Sequence, residues 1–203
     1  MHRTVGKAVG RALVRALVHR SDKIYGQIEP FIGEGTNVLD LGCGDGKVGE
    51  LVHINKNSNV ILADIDNFLK VQLPFHRYDG RTLPFADNFF DHVLLLTVLH
   101  HSDDPERVFE EALRVTNKSV IVIESVYFNN LHRGVNKFLD WFYNRVLNSP
   151  EVTVPFNFLS PDAWVMLFEM YVGRVIHMEH LGLDQPLVPE WHTLYVIEKK
   201  FYP

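Results

Sequence analysis

Two runs in this chain, Val93–Leu99 (interrupted only by Thr97) and Val120–Ile123, are apolar rather than alternating. A strand with one solvated face alternates polar and apolar residues. A strand without a polar side must be buried on both faces. That demands a parallel sheet covered by helices on each side, an α/β fold. Further β-like runs, Val38–Leu41, Val60–Ala63 and a short one near His76–Tyr78, are separated by helical patterns, as such a sheet requires. One helix follows from Lys47. Another starts with Asp104 as N-cap and Pro105 in its first turn, and places Val108, Phe109, Ala112 and Leu113 on its apolar face. A short helix is also expected after the second strand, ending by Pro74.

The flanks extend this core. Residues 3–19 have helical periodicity, with Val5, Ala8, Val9, Ala12, Leu13, Ala16 and Leu17 opposite Arg3, Lys7, Arg11 and Arg15. Ser21 is the expected N-cap of a second helix ending near Phe31. Past Glu124, residues 127–171 are dense in aromatics, with helices expected at about 131–147 and 161–171. Two closing strands, Val175–His180 and Thr193–Glu198, are linked by a loop holding Pro186 and Pro189. The expectation is one domain over 1–203: N-terminal helices to 33, a core at 34–126, an aromatic-rich cap at 127–171 and closing strands at 172–203.

Composition narrows the function. No apolar run approaches the roughly 20 residues that span a bilayer, and arginines interrupt the N-terminus where a secretory signal would be apolar. Cys43 is the only cysteine, so neither an internal disulfide nor a cysteine zinc site is available, and a reducing cytoplasm is the expected compartment. The net charge of −5 disfavours general nucleic-acid binding. Residues 1–24 nevertheless carry +5, so the rest of the chain carries −10. The basic helix admits a weak contact with an anionic membrane surface or with phosphates, but its apolar face lacks aromatics, and packing over the sheet or the cofactor entrance is the simpler reading. The histidines show no metal-ligand spacing, so no metal is expected.

Ligand chemistry concentrates in Asn37–Glu50, NVLDLGCGDGKVGE, where Gly42, Gly44 and Gly46 follow a buried strand. An open parallel sheet binds ligands outside the carboxyl ends of its strands. The spacing G-x-G-x-G differs from the dinucleotide pattern G-x-G-x-x-G. Asp40 and Asp45 would also repel a pyrophosphate. S-adenosylmethionine has no phosphate and carries a sulfonium and an ammonium beside one carboxylate, which suits an acidic loop. Asp64, at the tip of ILADID, is placed to accept both ribose hydroxyls, with Asp66 the near alternative.

VLDLGCGDG, then ADID, then YDGRTLPFADNFFDHVLLLTVLHHSDDPERVFEEALRV resemble the class I S-adenosylmethionine-dependent methyltransferases, closest to the small-molecule group called type 11, over roughly residues 35–125. The resemblance implies a Rossmann-like, doubly wound, mostly parallel sheet of about seven strands, helices on both faces and a helical cap after the fifth strand. It implies that Gly42, Cys43, Gly44 and Gly46 pass under the methionine part, and that Asp40 anchors the loop or the cofactor's amino group. Asp64 would hold the ribose with Ile65 beside it, Asp79 would accept from the adenine amino group next to Gly80, and Thr97 would line the pocket near the transferred methyl. The family often has a Lys-Pro-Gly-Gly turn before the fifth strand; this chain has Thr116-Asn117-Lys118.

The expected reaction is in-line methyl transfer to a small, apolar or lipid-like acceptor. His100 and His101, at the end of the fourth strand, are candidate general bases. Glu124 and Tyr127 are further acceptor-side candidates, whereas His132 and Asp140 read as a solvated helix face. Cys43 lies inside the glycine loop and Thr97-Val98-Leu99-His100 stands at the fourth strand, which argues against DNA-base methylation. The aromatic stretch reads equally as an acceptor pocket and as core packing. The other classes open at this stage are an NAD(P)-dependent oxidoreductase and a noncatalytic cofactor-binding scaffold.

Overall fold

The structure is a computed structural model and describes residues 20–142, 157–171, 173–185 and 188–199. The basic helix expected at 3–19, and residues 143–156, which hold the end of the first expected cap helix and most of the link to the second, lie outside the described residues. Strands β1 (Asn37–Leu41), β2 (Asn59–Asp64), β3 (Phe75–Arg77), β4 (Phe90–Leu96), β5 (Thr116–Val126), β6 (Gly173–Gln185) and β7 (Val188–Lys199) form a seven-stranded sheet in the order β3-β2-β1-β4-β5-β7-β6. The first five pair parallel; β7 is antiparallel to both β5 and β6. The closing hairpin is longer than its apolar pattern suggested, and Pro189 falls within β7 rather than in the loop.

Helical residues 20–28 (α1) end in a 3-10 turn at Glu29–Phe31, and α2 (Lys47–Lys56), α3 (Pro105–Val115), α4 (Asn130–Phe142) and α5 (Pro161–Met170) complete the fold. Ser21 is not an N-cap, because Arg20 is already helical. The expected helix between β2 and β3 is absent: residues 65–74 are irregular. Short Asx contacts by Asp66 and Asn67, whose side chains accept the N–H groups of Asn67 and Leu69, hold this segment in turns. The N-cap expected for α3 is present, with Asp104 Oδ1 accepting the Arg107 N–H at 3.1 Å.

Burial on both faces follows from the strand period of two. Leu39, Leu41, Val93, Leu95, Val120 and Val122 pack against Phe109, Leu113, Trp164 and Phe168 of α3 and α5. Their neighbours Val38, Leu94, Ile121 and Ile123 pack against Ile24, Ile28 and Val52 of α1 and α2. The cap aromatics divide. Phe158, Trp164 and Phe168 are core, while Phe128 is exposed. Among the described residues, no helix is long and apolar enough to cross a membrane.

Candidate functional site

The sheet sets the position of the site. β1 is flanked by β2 on one side and β4 on the other, so successive strands depart from it in opposite directions. A crevice opens at such a switch point, outside the carboxyl ends of β1 and β4. Gly42 and Thr97 are the first residues beyond those two strands.

The glycine loop needs its glycines. Gly42, Gly44 and Gly46 have φ of 74°, 53° and 77°, a left-handed region that side chains resist. The loop is tied to β2 by the N–H groups of Gly42 and Cys43, which donate to Ala63 O at 2.8 and 3.2 Å. A Cβ on Gly42 would stand 2.5 Å from Val98 Cγ2, so the β1 and β4 loops touch here. Gly44 instead has nothing within 4 Å on that side and faces open space.

Carboxylates surround the loop. Asp40 is buried, and its Oδ2 accepts the Gly49 N–H at 3.1 Å, pinning α2 to β1. Burial pushes its pKa up to about 7 against that N–H bond, with Asp64 and Asp45 adding to the rise. Asp64 Oδ2 accepts the Gly44 N–H at 2.9 Å and Oδ1 the Ile65 N–H at 2.7 Å. Its pKa is raised by burial even though these N–H groups oppose the rise. Burial, then the charges of Asp40 and Asp64, push the Cys43 thiol well up, so it is no nucleophile at neutral pH. Asp66 sits further out, exposed, 3.8 Å from Arg77.

The tips of β2 and β3 meet beside this loop. A Cβ on Gly80, at φ 78°, would lie 3.6 Å from Ile65 Cγ2. Asp79 is exposed, and its Oδ1 accepts the N–H groups of Arg81 and Thr82, each at 2.8 Å. Those bonds hold its pKa below the usual carboxylate value. Tyr78 was not singled out from sequence. Its N–H donates to Asp64 O at 3.1 Å, which brings the YDG turn alongside Asp64.

On the opposite wall, β4 stops at Leu96, three residues before the end of the apolar run. Thr97 has φ 62°, a rare conformation for a β-branched residue and a strain of the kind stored at functional sites. Its Oγ1 accepts from Arg20 Nη2 at 3.1 Å. Leu99–His101 then form a 3-10 turn, so the two histidines do not end a strand as expected. Glu124, fully buried at the end of β5, organises that turn. Its Oε1 accepts the N–H groups of Val98 and Leu99 at 2.9 and 2.6 Å, and Oε2 lies 2.5 Å from His100 Nδ1. His100 is buried and stacks on Phe158 at 5.1 Å. The His101 ring, 3.9 Å from that of His100, keeps an exposed side. Burial, the His100 ring and the Arg20 guanidinium lower its pKa, and the exposed side moderates the first of these.

Of the acceptor-side candidates, Tyr127 lies under the Arg133 guanidinium at 5.4 Å. His132 does not lie on a solvated face: it is half-buried, stacked 6.1 Å from Trp191, and Phe128 stands edge-on to both rings. Asp140 falls within α4. Among the described residues, no group of three or more His, Cys, Asp or Glu side chains is placed to hold a metal ion.

Comparison with known proteins agrees with this geometry. A family profile described as a methyltransferase domain matches residues 39–123. The ubiquinone/menaquinone biosynthesis C-methyltransferase UbiE of Burkholderia orbicola is 27% identical over 150 residues, which cover 66% of this chain and 60% of the relative. The chain thus spans less than two thirds of the length of that curated relative. Two solved structures share the fold. A chain from the complex between the Haloferax volcanii Trm112 methyltransferase activator and a methyltransferase superposes with a TM-score of 0.71 at 15% identity, covering 98% of this chain and 96% of that one. A SAM-dependent methyltransferase from Methanosarcina mazei superposes with a TM-score of 0.67 at 17% identity, covering 86% and 97%.

Proposed function

We propose that the chain is a class I S-adenosylmethionine-dependent methyltransferase, as its methyltransferase-domain match and its relatives support, and that it methylates a small, apolar or lipid-like acceptor. The observation that carries the reading is the acidic, glycine-lined crevice at the switch point, where Asp40, Asp45 and Asp64 surround a loop whose Gly44 faces open space. A ligand bearing a sulfonium and an ammonium fits that charge, and a pyrophosphate does not. The same charge disfavours an NAD(P)-dependent oxidoreductase.

When bound, the cofactor supplies an electrophilic methyl on sulfur. The protein aligns and excludes water. Asp64 keeps lone pairs for the ribose hydroxyls beyond the two N–H groups it already accepts. Ile65, Asp79 and Gly80 would hold the adenine end, and Asp40 and the loop of Gly42, Cys43, Gly44 and Gly46 would hold the methionine end. Thr97 would line the wall beside the transferred methyl. Of the two histidines, His101 has the solvent access that an acceptor-side base needs, but its lowered pKa makes it a weak base, whereas His100 is engaged by Glu124. The apolar acceptor is supported by the exposed Phe128 beyond β5, and by the similarity to UbiE, a C-methyltransferase of ubiquinone and menaquinone biosynthesis.

Titration calorimetry with S-adenosylhomocysteine and NADH tests the cofactor. Binding of the nucleoside alone is expected; binding of NADH alone would replace this reading by the oxidoreductase. Release of S-adenosylhomocysteine from S-adenosylmethionine, assayed with quinols and phenols with and without an alkyl tail, tests the acceptor. Cofactor binding without turnover on any acceptor class would favour a noncatalytic scaffold.

A further inference from the structure

The acidic loop accounts for the two cationic groups of the cofactor but leaves its carboxylate without a partner. The lysines beside the loop are committed: Lys47 Nζ lies 2.5 Å from Glu50, and Lys70 Nζ 3.6 Å from Asp45. Arg20 differs. It is half-buried, and among the described residues its polar contact is with a neutral hydroxyl, Thr97 Oγ1, with no carboxylate in ion-pair range. Thr97 is the strained residue at the mouth, and the next residue, Val98, is the one that a Cβ on Gly42 would strike. The guanidinium therefore stands at the junction of the β1 and β4 loops, which the cofactor reading assigns to the methionine end.

We propose that Arg20 binds the carboxylate of the methionine end of the cofactor, and that the helix carrying it is thereby a wall of the site. The inference rests on the cofactor reading above. A guanidinium fits a carboxylate through two parallel N–H bonds, and one already held by a threonine hydroxyl keeps other donors for that purpose. A charged group half-removed from water without an ionic partner is costly, and a carboxylate ligand offsets that cost. It also completes the match between a zwitterionic ligand and a crevice that is acidic on the loop side and basic on the helix side.

The test compares S-adenosylhomocysteine with 5′-methylthioadenosine, which keeps the adenosine and the sulfur but has neither carboxylate nor ammonium. Both are titrated calorimetrically into the unaltered protein, Arg20→Gln and Arg20→Lys. The expected result for Arg20→Gln is a loss of roughly tenfold to a hundredfold for S-adenosylhomocysteine, the range for a hydrogen bond to a charged group, with methylthioadenosine unchanged. Arg20→Lys should recover part of the loss. Unchanged S-adenosylhomocysteine affinity in Arg20→Gln would overturn the inference, and so would equal losses for both ligands, which would mark Arg20 as a structural tie to Thr97. If the unaltered protein binds neither ligand, the cofactor reading itself falls. Binding retained in Arg20→Gln removes only the role of Arg20.

Discussion

Glu124 holds His100 from beneath the β4 turn, with 2.5 Å between carboxylate oxygen and imidazole Nδ1. The same side chain accepts the N–H groups of Val98 and Leu99, so one fully buried carboxylate fixes the residues that follow Thr97. Replacing Glu124 with Ala would leave those buried donors without a partner. Each buried donor left unsatisfied costs about 1–3 kcal/mol, and two backbone N–H groups lose their acceptor together. Urea unfolding of Glu124→Ala should show a loss of that order, and Glu124→Gln, which keeps one oxygen for the two N–H groups, a smaller one. A loss below about 1 kcal/mol in the alanine variant would mean that the carboxylate does not organise the turn.

Gly42 and Gly44 should respond differently to the same methyl group. Alanine at Gly42 meets a φ of 74° and Val98 Cγ2 at 2.5 Å. The left-handed backbone costs roughly 1–2 kcal/mol and overpacking about 1–3 kcal/mol more. Alanine at Gly44 meets only the backbone term, since nothing lies within 4 Å. Gly44→Ala should therefore stay the more stable of the two while its Cβ enters the open crevice and weakens S-adenosylhomocysteine. Thermal melts with and without the nucleoside separate the two effects. Equal melting points for the two apo variants would refute the argument.

The strand runs and the glycine loop were legible because both are local patterns. Apolar continuity at Val120–Ile123 requires two covered faces, and alternating glycines after Leu41 require a left-handed loop. The end of β4 was not legible, because Leu99 is as apolar as Leu95. What stops the strand is Glu124, 25 residues away in the chain from Leu99, drawing the N–H groups of Val98 and Leu99 out of the ladder. The only sequence hint was an acid closing the apolar run VIVIE. Arg20 left no signal, since it fell between the two expected helices and only the fold brings it to Thr97. His132 was misread for the same reason, its partner Trp191 being remote in sequence.

Asp64 links the two strand tips and should dominate nucleoside binding. Its oxygens already accept the N–H groups of Gly44 and Ile65, so removing it disturbs the loop as well as the ribose contact. Asp64→Ala should weaken S-adenosylhomocysteine and adenosine alike, each by roughly tenfold or more, as expected for lost hydrogen bonds to a charged group. Asp64→Asn, which retains one acceptor oxygen, should lie between. Full affinity for both ligands in Asp64→Ala would place the ribose elsewhere.

Asp40 makes the apo protein sensitive to pH in a direction opposite to that of most carboxylates. Its folded pKa is about 7 against an ordinary 3.8, chiefly from burial. Between those values the folded state holds a proton that the unfolded state has released, so stability falls as pH rises. The contribution is fully present below pH 3.8 and gone above about 7, with a slope of up to roughly 1.4 kcal/mol per pH unit between. His92 and His101, whose pKa values are lowered first by burial, act with the opposite sign, so the informative quantity is the difference from Asp40→Asn. The amide oxygen of that variant still accepts the Gly49 N–H but cannot ionise. Urea unfolding from pH 5 to 8 should show the unaltered protein losing stability relative to Asp40→Asn. S-adenosylhomocysteine carries an ammonium, and an ionised Asp40 favours it, so its affinity should rise through pH 7 with release of a proton from the protein. Calorimetry in buffers of different ionisation enthalpy detects that proton. An affinity independent of pH, and the same in Asp40→Asn, would show that Asp40 anchors α2 and takes no part in receiving the cation.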